Sequence, residues 1–152
     1  MIEDARSAAA AAAFEVVPAD DARALAAMRR YFAELAERFG FDPAGATHDG
    51  PFVVALVDGE PVAGGGLRTL ADGRAEVKRM WVDPAWRGAG LGGRLLARLE
   101  ELARRTGHDR VVLDTKRALA PAVALYDRAG YRRIERYNDN PEAELFFEKR
   151  LD

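Results

Sequence analysis

The residues Arg87-Gly88-Ala89-Gly90-Leu91-Gly92-Gly93 carry the chemistry most easily read from this chain. They follow a strand-like run that ends at Val82 and lead straight into a helix-forming segment. Glycines let backbone N–H groups approach a ligand with no Cβ in the way. A helix start adds unpaired N–H donors and the positive end of the helix dipole. Together they form an anion site, most often for phosphate or pyrophosphate. The strand before the loop carries Glu76, Lys78 and Arg79, with Arg68 on the strand before that. Lys78, Arg79 and Arg68 read either as surface charges, with Glu76 as a partner, or as groups facing a substrate carboxylate.

Two registers fit the loop. Gly88-x-Gly90-x-x-Gly93 matches the dinucleotide-binding fingerprint, and Asp114 falls about 20 residues on, where that fingerprint places an acid for the ribose. Its context is missing: Asp83-Pro84-Ala85-Trp86-Arg87 separates strand from loop, and the strands before it read as antiparallel. The same residues also read Arg87-x-x-Gly90-x-Gly92. A third reading is a tight loop whose glycines serve helix packing.

The elements that must position this loop follow from periodicity. Phe14 to Val17 alternates as a short strand before Pro18, and Asp20 and Asp21 offer helix caps. Leu25, Met28, Phe32, Leu35 and Phe39 recur at helical spacing up to Gly40. The segment 41–51 reads as a polar, glycine-rich loop. Phe52 to Val57 is an apolar strand, Asp58-Gly59 a hairpin turn, and Pro61 to Leu70 the return strand. That strand contains Gly64-Gly65-Gly66, which implies a close approach or a bulge. Arg74 to Val82 is a further strand after a turn at Asp72-Gly73. Beyond the loop, Leu91, Leu95, Leu99 and Leu102 line one helix face, and Gly107 closes that helix. A strand at Val111–Leu113, a helix at 118–129 and strands at 131–137 and 144–150 complete the order β-α-β-β-β-α-β-α-β-β. This predicts an α/β (α+β) fold, a mixed, mostly antiparallel central sheet flanked by helices. Residues 1–13 read as an alanine-rich tail and 14–152 as a single domain.

Bulk properties narrow the function classes. The 152 residues are 49% hydrophobic and 32% charged, with 23 basic and 25 acidic side chains and a net charge of −2. No global basic field draws the chain to nucleic acid or a membrane surface. The absence of cysteine excludes disulfides, a thiol nucleophile and thiolate metal sites. Two histidines, His48 and His108, are too few for a zinc cage unless carboxylates complete it, so no metal is expected. No 18-residue apolar run or signal-peptide pattern is present, and the cytoplasm is the expected compartment. An apolar sheet edge would allow a homodimer.

The Arg87-x-x-Gly90-x-Gly92 loop is followed by Ala122-Val123-Ala124-Leu125-Tyr126-Asp127-Arg128-Ala129-Gly130-Tyr131, and preceded by Ala75-Glu76-Val77 through Val82-Asp83-Pro84. With these in order, the chain from Phe52 to Leu151 resembles the GNAT superfamily of N-acetyltransferases. The resemblance implies that acetyl-CoA is the cofactor, its pyrophosphate held by the backbone of Arg87, Gly88, Ala89, Gly90, Leu91, Gly92 and Gly93. It implies that Met80, Trp81 and Val82 occupy the strand whose exposed backbone pairs with the pantetheine arm. Tyr126 matches the tyrosine that donates to the departing sulfur, a role otherwise read as a core tyrosine. Glu76 matches the glutamate that takes the amine proton directly or through water. Leu119 departs from the family, which often has an asparagine there on the pantetheine arm. The resemblance implies acetyl transfer to an amine by direct attack in a ternary complex, the acceptor a small primary amine or amino acid-like molecule. A non-catalytic acyl-CoA-binding or sensor module on the same fold is the alternative. The substrate should lie among Tyr31, Phe32, Glu34 and Phe41 of the first helix and its loop, Lys78, the Gly64–Gly66 strand, and the turn from Tyr137 and Asn138 to Pro141.

Overall fold

The computed structural model describes residues 7–41 and 48–152, so residues 1–6 of the expected tail and 42–47 of the 41–51 loop lie outside the described residues. The elements are β1 (Ala13–Val17), α1 (Ala22–Phe39), β2 (Phe52–Val57), β3 (Glu60–Thr69), β4 (Ala75–Val82), a 3-10 turn (Pro84–Trp86), α2 (Leu91–Arg105), β5 (Arg110–Thr115), α3 (Ala120–Arg128), β6 (Arg132–Ile134) and β7 (Leu145–Arg150). The order is the one read from periodicity. The strands form one sheet in the order β1-β2-β3-β4-β5-β7-β6. All pairs are antiparallel except β4–β5.

β2 shows why the sheet has helices on both faces. Its sequence Phe-Val-Val-Ala-Leu-Val is apolar throughout, as a strand covered on both sides must be. Side chains alternate across the pleat. Val53 and Ala55 therefore join Leu91, Leu95, Leu96 and Leu99 of α2 in one core. Phe52, Val54 and Leu56 join Ala24, Ala27, Met28 and Phe32 of α1 in the other. Asp21 caps α1 by accepting from the Arg23 N–H at 2.8 Å. The end of the alanine-rich segment belongs to this packing: residues 7–10 form a helical turn, Ala9 is buried, and its carbonyl accepts from Arg94.

Both readings of the three glycines hold. A β-bulge falls here, with Gly64 opposite Trp81 and Gly66 opposite Lys78, so β4 carries one extra residue. A Cβ on Gly64 would lie 2.6 Å from the Phe52 ring, so the ring approaches as closely as it does only because no side chain intervenes. The last strands are shorter than the alternation suggested. β6 stops at Ile134, and the chain from Glu135 to Glu144 is held irregular by Arg136, which donates to the carbonyls of Asn138, Asn140 and Ala143. The reason is polar: Tyr137 and Asn138 turn toward the carboxylates of β4 and β5. Among the described residues no helix is long and apolar enough to cross a membrane.

Gly64→Ala should force Phe52 and Ala27 apart. Overpacking of this kind costs about 1–3 kcal/mol. A thermal melt should read a loss of several degrees against the parent protein.

Candidate active site

β4 and β5 run side by side for only two pairs, Ala75 with Val111 and Glu76 with Val112. Beyond Glu76 the strands part. The extra residue of the bulge sits in this stretch, with Arg79 in the left-handed region at φ 57°. A bulge bends its strand and increases the local twist. From Val77 onward β4 pairs with β3 on one edge, while its other edge has no strand beside it. Unpaired backbone donors and acceptors of this kind are a template for an extended ligand.

At the far end of β4, Asp83 caps the 3-10 turn by accepting from Ala85 N–H at 2.8 Å, and the chain then reaches the glycine loop. Gly88 and Gly90 have φ of 84° and 81°, a region that suits glycine. Gly90 caps α2 without any side chain, so the first amides of the helix have no side-chain acceptor. Arg87 is held at this corner, its Nε donating to the Val82 carbonyl at 2.9 Å and its Nη2 to Glu34 of α1 at 2.6 Å. The dinucleotide reading lacks its setting here, because a 3-10 turn separates β4 from α2 and β4 is antiparallel to β3.

The gap between β4 and β5 opens into a cleft of about 90 Å3, lined among others by Tyr31, Met80, Asp114, Leu119, Tyr126 and Asn140. Tyr126 of α3 is 6% exposed, packed against Tyr131 and Phe147 at centroid distances of 6.0 and 5.6 Å. Its hydroxyl has no hydrogen-bond partner among the described residues. Burial, then Tyr31 and Asp114, pushes its phenol well above the ordinary range, so it stays protonated near neutrality. Burial also pushes Tyr31 up to about 12. A larger, shallow groove at the β1 edge, lined by Val16, Pro18, Asp49 and Pro51, holds neither a glycine-lined helix start nor a buried phenol.

Below the cleft lies a buried polar network. Glu76 is 0% exposed. Its Oε1 accepts from Arg68 Nε at 2.6 Å; its Oε2 accepts from the Tyr137 hydroxyl at 2.6 Å and Asn138 Nδ2 at 3.3 Å. Lys78 Nζ is 3.9 Å from Glu76 and 3.3 Å from Asp114. Asn138 also donates to Asp114 at 2.6 Å, which ties the two carboxylates together. Burial and the bond to Glu76 push the Tyr137 phenol far up. Among the described residues no group of three or more His, Asp or Glu could hold a metal ion.

The candidates read from sequence thus separate. Tyr126, Tyr31, Lys78 and Met80 line the cleft. Val82 packs against the α2 side of the sheet, beside Gly92. Trp81 faces the other way, buried with Phe52 and Val54, with the Arg30 guanidinium 4.8 Å above its ring. Phe32 is core as well, stacked on Phe41 at 6.0 Å. Glu76, Tyr137 and Asn138 form the layer beneath, and Glu34 pairs with Arg87. Asp114 entered only as a ribose acid in the dinucleotide register, and Asn140 only within its turn; both line the cleft. The signal for Asp114 was its place at the end of β5, one strand from Glu76.

A splayed sheet with helices on both faces defines the N-acetyltransferase type of fold. The model of the Acetyltransferase (GNAT) family matches residues 8–131, and the chain belongs to that family. It is 37% identical over 85 residues to the uncharacterized N-acetyltransferase YjgM of Escherichia coli, a match over 54% of this chain and 51% of that protein. It is 40% identical over 81 residues to the IAA acetyltransferase of Azospirillum brasilense, over 53% of each. The chain spans about half the length of these curated relatives. A Klebsiella pneumoniae structure assigned as an acyl-CoA N-acyltransferase superposes with a TM-score of 0.74 at 28% identity, over 93% of this chain and 98% of that one. A Salmonella typhimurium structure assigned as an acetyltransferase, solved with its cofactor acetyl-CoA, shares the fold at a TM-score of 0.67 and 22% identity, over 92% and 95%.

Tyr137→Phe removes the short donor to a fully buried carboxylate. The remaining acceptor is costly to leave unmet, and the unfolding free energy in urea should fall by about 1–3 kcal/mol.

Proposed function

We propose that this chain is an acetyl-CoA-dependent N-acetyltransferase that acetylates a small primary amine by direct attack in a ternary complex. The observation that carries this reading is an unpaired edge of β4 that lines one cleft with the Tyr126 phenol and leads, through the 3-10 turn, to an uncapped, glycine-lined helix start. The residues fit the cofactor. Backbone amides from Gly88 to Gly93 suit a pyrophosphate. A Cβ added at Gly88 or Gly90 would meet nothing within 4 Å, so the space beside the loop backbone is open there. Arg87 can exchange Glu34 for a phosphate as its charge partner. The free β4 edge from Val77 to Val82, including Met80 and Trp81, suits the amide groups of an extended arm through backbone bonds alone. The Trp81 side chain takes no part, because it lies on the opposite face. Leu119 in the cleft wall offers an apolar contact where a side-chain amide would offer a hydrogen bond.

Acetyl-CoA, when bound, would supply the thioester acetyl group. The chain then has two proton tasks. An amine must lose a proton before attack, and the departing sulfur must gain one. Tyr126 suits the second task, with its hydroxyl unengaged and its phenol held protonated by burial.

With acetyl-CoA at about 100 times its Kd, the melting temperature should rise by about 5–11 °C, the equivalent of about 2.7 kcal/mol for a domain of this size. NAD should give no shift; a shift with NAD alone would overturn the reading. Tyr126→Phe should keep the acetyl-CoA shift and lower kcat by about 100-fold or more. Unchanged turnover at every pH would remove Tyr126 from the reaction, and an acetyl-CoA shift without turnover on any amine would favour a non-catalytic acyl-CoA-binding module.

A further inference from the structure

Two carboxylates stand near the parting of β4 and β5, and they differ in what remains free on each. Both oxygens of Glu76 are engaged, and none of the residue is exposed. It is absent from the cleft lining. Asp114 is different. Three donors converge on its Oδ2: Asn138 Nδ2 at 2.6 Å, Lys78 Nζ at 3.3 Å and Asn140 Nδ2 at 3.4 Å. Its Oδ1 has no partner among the described residues. The side chain is only 9% exposed, and it lines the same cleft as Tyr126. An ionised carboxylate can accept about four hydrogen bonds. Here one oxygen is clamped by donors from β4 and from the 138–140 turn, which leaves the other oriented with open lone pairs. Its charge is felt by the phenols of Tyr31, Tyr126 and Tyr137, which come from α1, α3 and the segment after β6.

We propose that Asp114 Oδ1 is the acceptor for the attacking amine: it docks the substrate's ammonium group and takes its proton. This rests on the acetyltransferase reading above. Glu76 is then a positioning residue, holding Asn138 and the Tyr137 segment so that Oδ2 stays clamped and Oδ1 stays aimed into the cleft. In the step itself an N–H bond of the ammonium breaks and its proton passes to Asp114 or to a water held by it. The nitrogen lone pair bonds to the acetyl carbon and the carbon–sulfur bond breaks. The sulfur gains a proton from Tyr126, which recovers it from the nitrogen that has become an amide. The net products are the acetamide, free thiol and one proton, finally released from Asp114. The substrate class that follows is an amine charged at neutral pH, presented singly to one carboxylate.

The test compares wild type, Asp114→Asn, Asp114→Glu and Glu76→Gln. The acetyl-CoA melting shift is measured first on each. A wild type without that shift would refute the acetyltransferase reading, and this inference with it. With the shift present in wild type and Asp114→Asn alike, turnover is measured on a panel of primary amines and on O-methylhydroxylamine, a nucleophile uncharged at neutral pH. Asp114→Asn should lower kcat/KM at least 100-fold on every ammonium substrate, yet no more than about tenfold on O-methylhydroxylamine. A merely structural role would depress both alike and would overturn the proposal, as would wild-type turnover of ammonium substrates by Asp114→Asn.

A second readout needs no transfer. With coenzyme A bound in place of acetyl-CoA, calorimetry with the best-accepted amine should show at least tenfold weaker binding to Asp114→Asn. Its alcohol isostere should bind both proteins alike. Asp114→Glu restores the charge at a shifted position and should recover part of the amine binding. Glu76→Gln should retain most of that binding while lowering kcat, and its loss of binding equal to that of Asp114→Asn would place Glu76 at the amine instead.

Discussion

The structure depends most on the early end of the β4–β5 ladder. Two parallel strands that begin in register separate after Glu76 and Val112, and the cleft that holds Tyr126, Asp114 and Lys78 lies at the gap. A sheet rarely leaves an interior strand edge unpaired, because each orphan backbone group near the core costs free energy. Here the parting is built in. The extra residue opposite Gly65 bends β4, and Arg79 takes a left-handed conformation that non-glycine residues adopt at a cost of about 1–2 kcal/mol. The strain and the unpaired edge belong together, since the bend that stores one exposes the other.

Holding such a gap open requires that its base be rigid. The base is polar rather than apolar. Glu76, Arg68, Tyr137, Asn138, Asp114, Lys78 and Asn140 form a continuous hydrogen-bonded set that spans β3, β4, β5 and the turn after β6. A buried carboxylate is tolerable only when its oxygens are met, and those of Glu76 are. The set also explains why β6 is short: the chain leaves the sheet to supply Tyr137 and the two asparagines. Above it, α1 and α2 seal the two sheet faces with separate cores. α1 also reaches the glycine loop through Glu34 and Arg87, and the cleft through Tyr31.

Much of this was legible in the sequence because it is local or periodic. The apolar run of β2, the Leu91-Leu95-Leu99 stripe, the Asp58-Gly59 turn, the cap at Asp21 and the helix stop at Gly40 each act within a few residues, and each sits where its pattern places it. The glycine loop and the Tyr126 motif identify the family for the same reason: backbone approach and helix-start amides need particular residues at fixed spacing. The three glycines of β3 announced a close approach and a bulge without saying what approached.

Only tertiary structure decided which charged side chains face the cleft. Glu76 and Asp114 lie at similar depths on neighbouring strands, and periodicity cannot tell a clamped carboxylate from one with a free oxygen. That distinction depends on donors 24 and 62 residues away, supplied by Asn138. Trp81 and Met80 are adjacent in sequence yet serve opposite faces of the sheet, because the pleat alternates and the bulge resets its phase. The chain by itself determined the sheet, its helices and a glycine-lined helix start, since these follow from local propensity and burial. The site's polarity was decided by long-range pairing, where the hydrogen bonds a group finally makes, and not its position in the sequence, set its chemistry.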